Sequence, residues 1–163
     1  MLGIEIVPIL MEGIKAIRNL QIGKIEERAL IEEVKEELIN NIKIIKDDYI
    51  TNQVAIFKII TVMKINKLEN AEKARKRKKL DFNKIKKGRI DKSCFISDYQ
   101  YYKYKDYDTS KILLKLREKF NDLKKVKQLY YSNNKWSNKI NPKSRMNTIV
   151  NLFALLSKHL SMK

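Results

Sequence analysis

The stretch 24-KIEERALIEEVKEELINNIKIIKDDYI-50 decides the fold class. Its apolar residues return every three or four positions, so a helix would gather them on one face. These residues are Leu30, Val34, Leu38, Ile42, Ile45 and Tyr49. Acidic residues crowd the first half and lysines follow in the second, an order that the helix dipole favours. The pattern predicts a long amphipathic helix whose solvated face carries Glu32, Glu33, Glu36 and Glu37.

Two apolar helices are predicted on either side of this segment. The first spans residues 8–20, with Pro8 in its first turn and apolar residues at helical spacing. The other spans residues 54–65 after a cap at Thr51 or Asn52, and it is apolar nearly all round. We expect it to form the buried centre of the protein, with the second and fifth helices packed on it. Its β-branched residues would also suit a strand, but no partner strand is evident.

The second half of the chain is less regular. The helix over residues 54–65 is predicted to continue from Leu68 as a basic helix to Lys87, with Gly88 as its stop. Residues 90–108 lack a helical period and contain five tyrosines, which indicates a long Tyr-rich connection. Two further helices are predicted over residues 109–131 and 142–159, with a polar loop between them.

Together these elements predict an all-α fold. We expect an irregular helical bundle of about five helices in a single domain, residues 1–163, with the basic helix projecting into solvent. The chain has few residues that break helices, four Gly and two Pro, which agrees with this expectation.

The charge is distributed unevenly along the chain. The net charge is +17, and part of the lysine content reflects a preference for A/T-rich codons, which also raises Ile, Asn and Tyr. Residues 1–72 carry 10 Lys or Arg and 12 Asp or Glu, whereas residues 73–163 carry 26 and 7. Codon preference should spread more evenly than this. The sequence therefore has a near-neutral helical half and a strongly basic half, and the basic half favours an anionic partner.

The basic half contains the candidate binding site. Lysines and arginines at the density of residues 73–92 neutralise phosphates, and the tyrosines that follow can stack on unpaired bases, with Lys103 and Lys105 interleaved. We predict a small nucleic-acid-binding or ribonucleoprotein-associated protein, with RNA favoured over DNA. The predicted site residues are Lys73, Arg75, Lys76, Arg77, Lys78, Lys79, Lys84, Lys86, Lys87, Arg89, Tyr101, Tyr102 and Tyr104. The competing interpretation is a solvated charged face, with tyrosines that anchor a loop to the core.

A second mixture of lysines and aromatic residues supports the same prediction. It runs from Lys124 through Tyr130 and Tyr131 to Trp136 and Lys139.

The sequence offers no pattern for catalysis, metal binding or a cofactor. One His and one Cys exclude most metal-ligand sets and a disulfide within the chain, and the four glycines are too isolated for a phosphate-binding loop. The nearest Arg before His159 is Arg145, about 21 Å away along a helix, so the two cannot share one phosphate. We expect His159 to be stabilised by the helix dipole and Cys94 to be a small core residue. We therefore favour a protein without catalysis, and an enzyme whose site is assembled only in an oligomer is the least favoured alternative.

The N-terminal helix supplies the alternative function. Its opening run lacks a positive start and is too short to span a bilayer, so we expect no signal peptide, no transmembrane helix and a cytoplasmic protein. If this helix is weakly held, the protein would be a protein–protein interaction or membrane-associated module, such as a toxin, immunity or defence component. Its partner would be another protein or a second copy, with an anionic membrane surface less favoured.

Overall fold

The computed structural model describes residues 5–21, 25–76, 81–133 and 141–163, and all regular structure within these ranges is helical. The α-helices described are α1 (Ile6–Arg18), α2 (Ile25–Ile44), α3 (Ile56–Val62), α4 (Asn66–Lys76), α5 (Asp98–Tyr104), α6 (Thr109–Asn133) and α7 (Pro142–Ser161). A π-helix, Ile45–Thr51, continues α2, and two single 3₁₀ turns span Phe82–Lys84 and Lys92–Cys94. The predicted all-α fold class is confirmed.

The described part of the chain has seven α-helices, against the predicted five or so, because the predicted third helix is divided and the predicted connection contains a helix. The third helix is divided into α3 and α4 after Val62, where Met63 becomes extended (φ −68°, ψ 142°). The basic α4 is described as far as Lys76, and the predicted connection over residues 90–108 contains α5. The basic helix also packs rather than projects, since Leu68 and Ala71 of α4 are buried and α4 contacts α2 and α6.

The centre of the fold is α7, and the prediction that residues 54–65 are central is wrong. Residues 149–156 of α7 are buried around nearly the whole circumference of the helix, and α7 packs on α1, α6 and α3. In α3 only Ile59 and Ile60 are buried, and Val62 is half exposed. An apolar composition on all faces was therefore present in both segments, but only α7 has neighbours that cover every side.

The N-terminal helix is held tightly against α7. Its apolar residues Ile6, Leu10, Ile14 and Ile17 are buried. Gly13 lies directly over α7, because a Cβ atom at this position would be 1.9 Å from Ser157 Oγ. The glycine lets the two helix backbones approach closely. No helix in the described ranges is long and apolar enough to cross a membrane.

Polar side chains of α2 fix the junction between α3 and α4. The Asn41 amide donates to the Lys64 carbonyl (2.6 Å) and accepts from the Lys64 N–H (3.1 Å). The Glu37 carboxylate accepts from the N–H groups of Lys67 (2.9 Å) and Leu68 (3.0 Å), and so it caps α4 from another helix. The prediction of a solvated face holds for Glu32, Glu33 and Glu36 but is wrong for Glu37, which is buried.

Two other buried charges are also paired. The Lys35 ammonium donates to the carbonyls of Arg18 (3.4 Å) and Leu20 (3.2 Å) and so satisfies the end of α1. The Glu72 carboxylate on α4 lies 2.9 Å from Arg117 Nε on α6. An unpaired buried charge is strongly destabilising. The Lys35 contacts therefore fix the position of α1 relative to α2, and the Glu72–Arg117 ion pair fixes the position of α4 relative to α6.

Candidate nucleic-acid interface

The tyrosine-rich helix α5 is defined by its own capping residues. The Ser97 hydroxyl accepts from the Gln100 N–H (3.2 Å), and the Gln100 side-chain oxygen accepts from the Ile96 N–H (2.8 Å). This reciprocal arrangement is a variant of the capping box, in which the side chain three residues on reaches back to the start of the helix. It gives residues 98–104 a helical conformation in which the side chains occupy fixed faces.

The two faces of α5 differ in exposure. Gln100 and Tyr104 point inward and are only 6% and 5% exposed. Tyr99 and Tyr102, three residues apart and therefore neighbours on one face, are 74% and 72% exposed. Two large rings thus lie side by side in solvent, beside a third, half-buried ring, Tyr101.

Aromatic and cationic groups alternate around these rings. Tyr101 packs edge to face against Phe95 (5.4 Å between ring centroids) and Tyr102 (5.5 Å). The Lys92 ammonium lies 5.4 Å from the Tyr101 centroid. The Lys103 ammonium lies 5.5 Å from the Tyr99 centroid and 5.4 Å from that of Tyr104. We refer to Lys92, Tyr99, Tyr101, Tyr102 and Lys103 as the Tyr–Lys surface.

The charge of Lys103 is maintained by its surroundings. Partial burial disfavours the ammonium form, but the hydroxyls of Tyr104 and Tyr99 outweigh this effect and raise the pKa of Lys103. The side chain is therefore a cation at neutral pH, held between two rings by cation–π contacts.

The segment that precedes α5 is tied to the rest of the fold. The Ile90 N–H donates to the Tyr107 carbonyl (2.9 Å), and Phe82, Ile90 and Cys94 are buried. The exposed Arg89 guanidinium lies 3.1 Å from the Asp106 carboxylate. These contacts anchor residues 89–90 to the residues that follow α5, and Lys92 lies against the Tyr101 ring.

His159 joins this segment to α7. Its Nε2 lies 3.0 Å from the Thr109 hydroxyl oxygen, and that hydroxyl donates to the Lys86 carbonyl (3.2 Å). Since the hydroxyl proton is used, His159 is the donor to Thr109. Burial, and then the charge of Lys86, lower the pKa of His159 from 6.5 to about 4, while Asp108 opposes the shift. The expectation of a dipole-stabilised, charged histidine is wrong because the ring is only 2% exposed.

The predicted site residues fall into several places. Tyr102 belongs to the exposed face of α5, Tyr101 supports it, and Tyr104 is buried and cannot stack on a base. Lys87 is exposed, Arg89 is exposed and paired with Asp106 just after α5, and the Lys86 ammonium donates to the Met162 carbonyl.

The remaining predicted residues lie elsewhere or are not described. Lys73 is exposed on α4, a different element from α5. Arg75 and Lys76 lie in the last turn of α4 and Lys84 in a 3₁₀ turn, without description of their side chains. Arg77, Lys78 and Lys79 lie outside the described residues, and so do Trp136 and Lys139 of the second lysine and aromatic mixture.

The predicted set of site residues omitted Lys92, Tyr99 and Lys103. A signal for Tyr99 and Lys103 was present, because the Ser97-Asp98-Tyr99-Gln100 run has the spacing of a capping box and predicts a helix start. A helix beginning there would have put Tyr99, Tyr102 and Lys103 on one face.

The described residues offer no alternative site built on a metal or a reactive thiol. No group of three or more His, Cys, Asp or Glu side chains could hold a metal ion within the ranges the structure covers. Cys94 is a free, buried cysteine, as predicted for a core residue, and burial together with the Asp91 charge raises the pKa of its thiol.

Comparison with known proteins found no family model that matches this chain, and no curated protein or solved structure with significant similarity to it.

Proposed function

We propose that this protein binds single-stranded nucleic acid, RNA in preference to DNA, on the Tyr–Lys surface. The observation that carries the proposal is the pair Tyr99 and Tyr102, which are 74% and 72% exposed on one face of α5. Exposed rings leave apolar area in water, and an unpaired base that stacks on them removes that area. Tyrosine suits this role because its ring is flat and its hydroxyl stays hydrated.

The cations around these rings supply the contacts to phosphate. Lys92 and Lys103 flank the rings at 5.4 and 5.5 Å, so a base stacked on a ring would have its backbone within reach of an ammonium group. Arg89 is paired with Asp106 at the surface, an ion pair that contributes little and is readily exchanged for a phosphate. The basic residues of 73–92 would extend this electrostatic attraction beyond the rings.

The first experiment separates stacking from charge. A fluorescently labelled single-stranded RNA is titrated with wild-type protein, with Tyr99→Leu/Tyr102→Leu and with Tyr99→Phe/Tyr102→Phe, at fixed salt. Because each stacked base contributes about 1–3 kcal/mol, the leucine variant should bind at least tenfold more weakly, while the phenylalanine variant, which keeps both rings, should bind as the wild type does. Equal binding by all three proteins would overturn the proposal.

A salt series tests the charge component. The slope of log affinity on log salt should be steep, and it should become shallower by about 0.7 for each phosphate of the single strand that a variant no longer neutralises. Replacing Lys76, Arg77, Lys78 and Lys79 by Gln should flatten the slope without removing the dependence on the two tyrosines. An unchanged slope would exclude this basic run from the binding surface. A DNA duplex that binds as tightly as the single strand would argue against stacking.

A second candidate function is a protein contact through the same helix. Ile96, which lies just before the capping residue of α5, is 51% exposed, so an aliphatic side chain lies in solvent near the start of this helix. A helical partner or a second copy could cover Ile96 together with the two rings. Light scattering on wild type and Ile96→Asp distinguishes the two: a change in oligomeric state with unchanged RNA affinity would favour the protein contact.

The N-terminal helix is a weaker candidate for such a contact. Its residues Ile6, Leu10, Ile14 and Ile17 are buried and it packs on α7, although Met11 is 48% exposed. Because α1 is not weakly held, we do not propose the membrane or partner role that was expected for it.

A further inference from the structure

A groove of about 390 Å³ lies between the end of α3 and the C-terminal half of α6, away from the Tyr–Lys surface. The described residues of its lining carry three ammonium groups, two side-chain amides and a hydroxyl, but no carboxylate. The lining residues are Ile60, Thr61, Met63, Lys64, Asn66, Lys124, Lys127 and Gln128.

The three lysines are restrained to different degrees. The Lys127 ammonium donates across the groove to the Thr61 hydroxyl on α3. The Lys124 ammonium lies 5.0 Å from the centroid of the Phe120 ring on the same helix. The backbone of Lys64 is fixed by both groups of the Asn41 amide, while its side chain is exposed. Lys127 in particular would therefore lose little conformational freedom when a ligand binds.

The floor of the groove is apolar. Ile60 and Met63 line it and are each only 2% exposed. Cations at the rim of an apolar surface face fewer water molecules, which strengthens their interaction with an anion. Three ammonium groups above such a floor repel one another, and a multiply charged anion relieves that repulsion.

We propose that this groove binds a compact polyphosphate, either free or as the polyphosphate group of a small molecule. The phosphate oxygens would accept hydrogen bonds from Lys64, Lys124 and Lys127. The volume falls within the range of small-molecule pockets, roughly 300–1,000 Å³. None of the described residues that line the groove is aromatic, which distinguishes this set from a surface that reads bases.

The groove is separate from the proposed RNA surface. Lys111, which donates to the Asp106 carbonyl (3.0 Å) and so marks the α5 side of α6, precedes Lys124 by thirteen residues. At 3.6 residues per turn this places Lys124 on a largely opposite face of α6 and about 20 Å further along. The two sites can therefore be tested by different variants.

The test measures inorganic tripolyphosphate binding by isothermal titration calorimetry at constant ionic strength. The groove variant is Lys64→Gln/Lys124→Gln, and the matched control is Lys58→Gln/Lys125→Gln, which removes the same charge from exposed positions on α3 and α6 outside the groove. Because the groove variant loses two charge-assisted hydrogen bonds to the anion, it should bind at least tenfold more weakly, and the control less than twofold.

Three results would overturn the proposal. The first is no binding by the wild type, and the second is an equal loss in both variants, which would indicate attraction by net charge alone. The third is a loss of single-stranded RNA affinity in the groove variant as large as the loss of tripolyphosphate affinity, which would assign the groove to nucleic acid. Lys64→Arg/Lys124→Arg, which keeps both charges, should retain binding and checks that the groove is intact.

Discussion

The helices α1 and α5 are both amphipathic, but they differ in how far their large non-polar side chains are exposed to solvent. The aliphatic side chains of α1, including Leu10 and Ile17, are buried against α7. The helix α5 buries Tyr104 but leaves Tyr99 and Tyr102 in water. The side chain of isoleucine has no polar atom for water to hydrate. The tyrosine hydroxyl can remain hydrated whether the ring is buried or exposed. The comparison shows that α1 completes the core and that α5 presents a surface.

The largest expected loss of stability comes from adding a side chain at Gly13, where α1 approaches α7 most closely. Gly13→Val should destabilise the protein by about 4 kcal/mol, since its Cβ would overlap the side chain of Ser157 and force α1 away from α7. Urea unfolding followed by circular dichroism measures the loss. Gly13→Ala combined with Ser157→Gly should be more stable than Gly13→Ala alone. A Gly13→Val protein as stable as wild type would mean that α1 is not held as described.

The next largest loss of stability is expected from Tyr104, on the buried side of α5. Tyr104→Ala should cost about 3 kcal/mol of unfolding free energy, because it empties a buried site and removes a ring that packs 5.0 Å from Tyr107. Tyr104→Phe retains the ring and should cost much less. If Tyr104→Ala left the unfolding midpoint in urea unchanged, α5 would not be anchored by this residue.

The free energy of unfolding should depend on pH through His159, which joins α7 to the segment before α5. The pKa of His159 is about 4 in the folded protein and 6.5 when unperturbed, so the unfolded chain binds the proton more readily between these values. Stability from this group is fully present above pH 6.5 and is lost as the pH falls toward 4, by on the order of 2 kcal/mol.

The pH effect is measured by urea unfolding at several pH values. The leucine of His159→Leu cannot titrate, so this variant should lose less unfolding free energy than the wild type between pH 6.5 and 4. All other titratable groups contribute equally in the two proteins. Parallel curves for the variant and the wild type would show that His159 is not buried in its neutral form.

The smallest expected effect concerns the exposed rings of α5. Tyr99→Ser/Tyr102→Ser should change the unfolding free energy by no more than about 0.5 kcal/mol, because both rings are already largely in water. The same chemical denaturation experiment tests this. A loss comparable with that of Tyr104→Ala would mean that the outer face of α5 also supports the fold, and the contrast with α1 would disappear.

Several features of the fold were predictable because they depend on local periodicity. The buried stripe of α2, including Val34, Leu38 and Ile42, follows directly from residues three and four apart. The start of α7 was also predictable, since Asn141 caps the helix by accepting from the Ser144 N–H (3.1 Å) and Pro142 follows in the first turn.

The candidate site was predicted less well. The tyrosines and lysines of residues 90–108 were recognised as a mixture suited to nucleic acid, but Tyr104 was included and Tyr99 omitted. Without the capping interaction between Ser97 and Gln100 the segment has no defined faces, so its tyrosines cannot be sorted into buried and exposed.

The sequence by itself determined the all-α class, the amphipathic face of α2 and the concentration of positive charge after residue 72, because composition and spacing act within a few residues of the chain. The tertiary structure alone decided that α7 is central, that Glu37 caps α4, that His159 is neutral and that Tyr104 is buried while Tyr99 is not. Each of these outcomes depends on which helices pack against one another. Burial and hydrogen bonding between distant segments are set by that packing, which a local pattern does not contain.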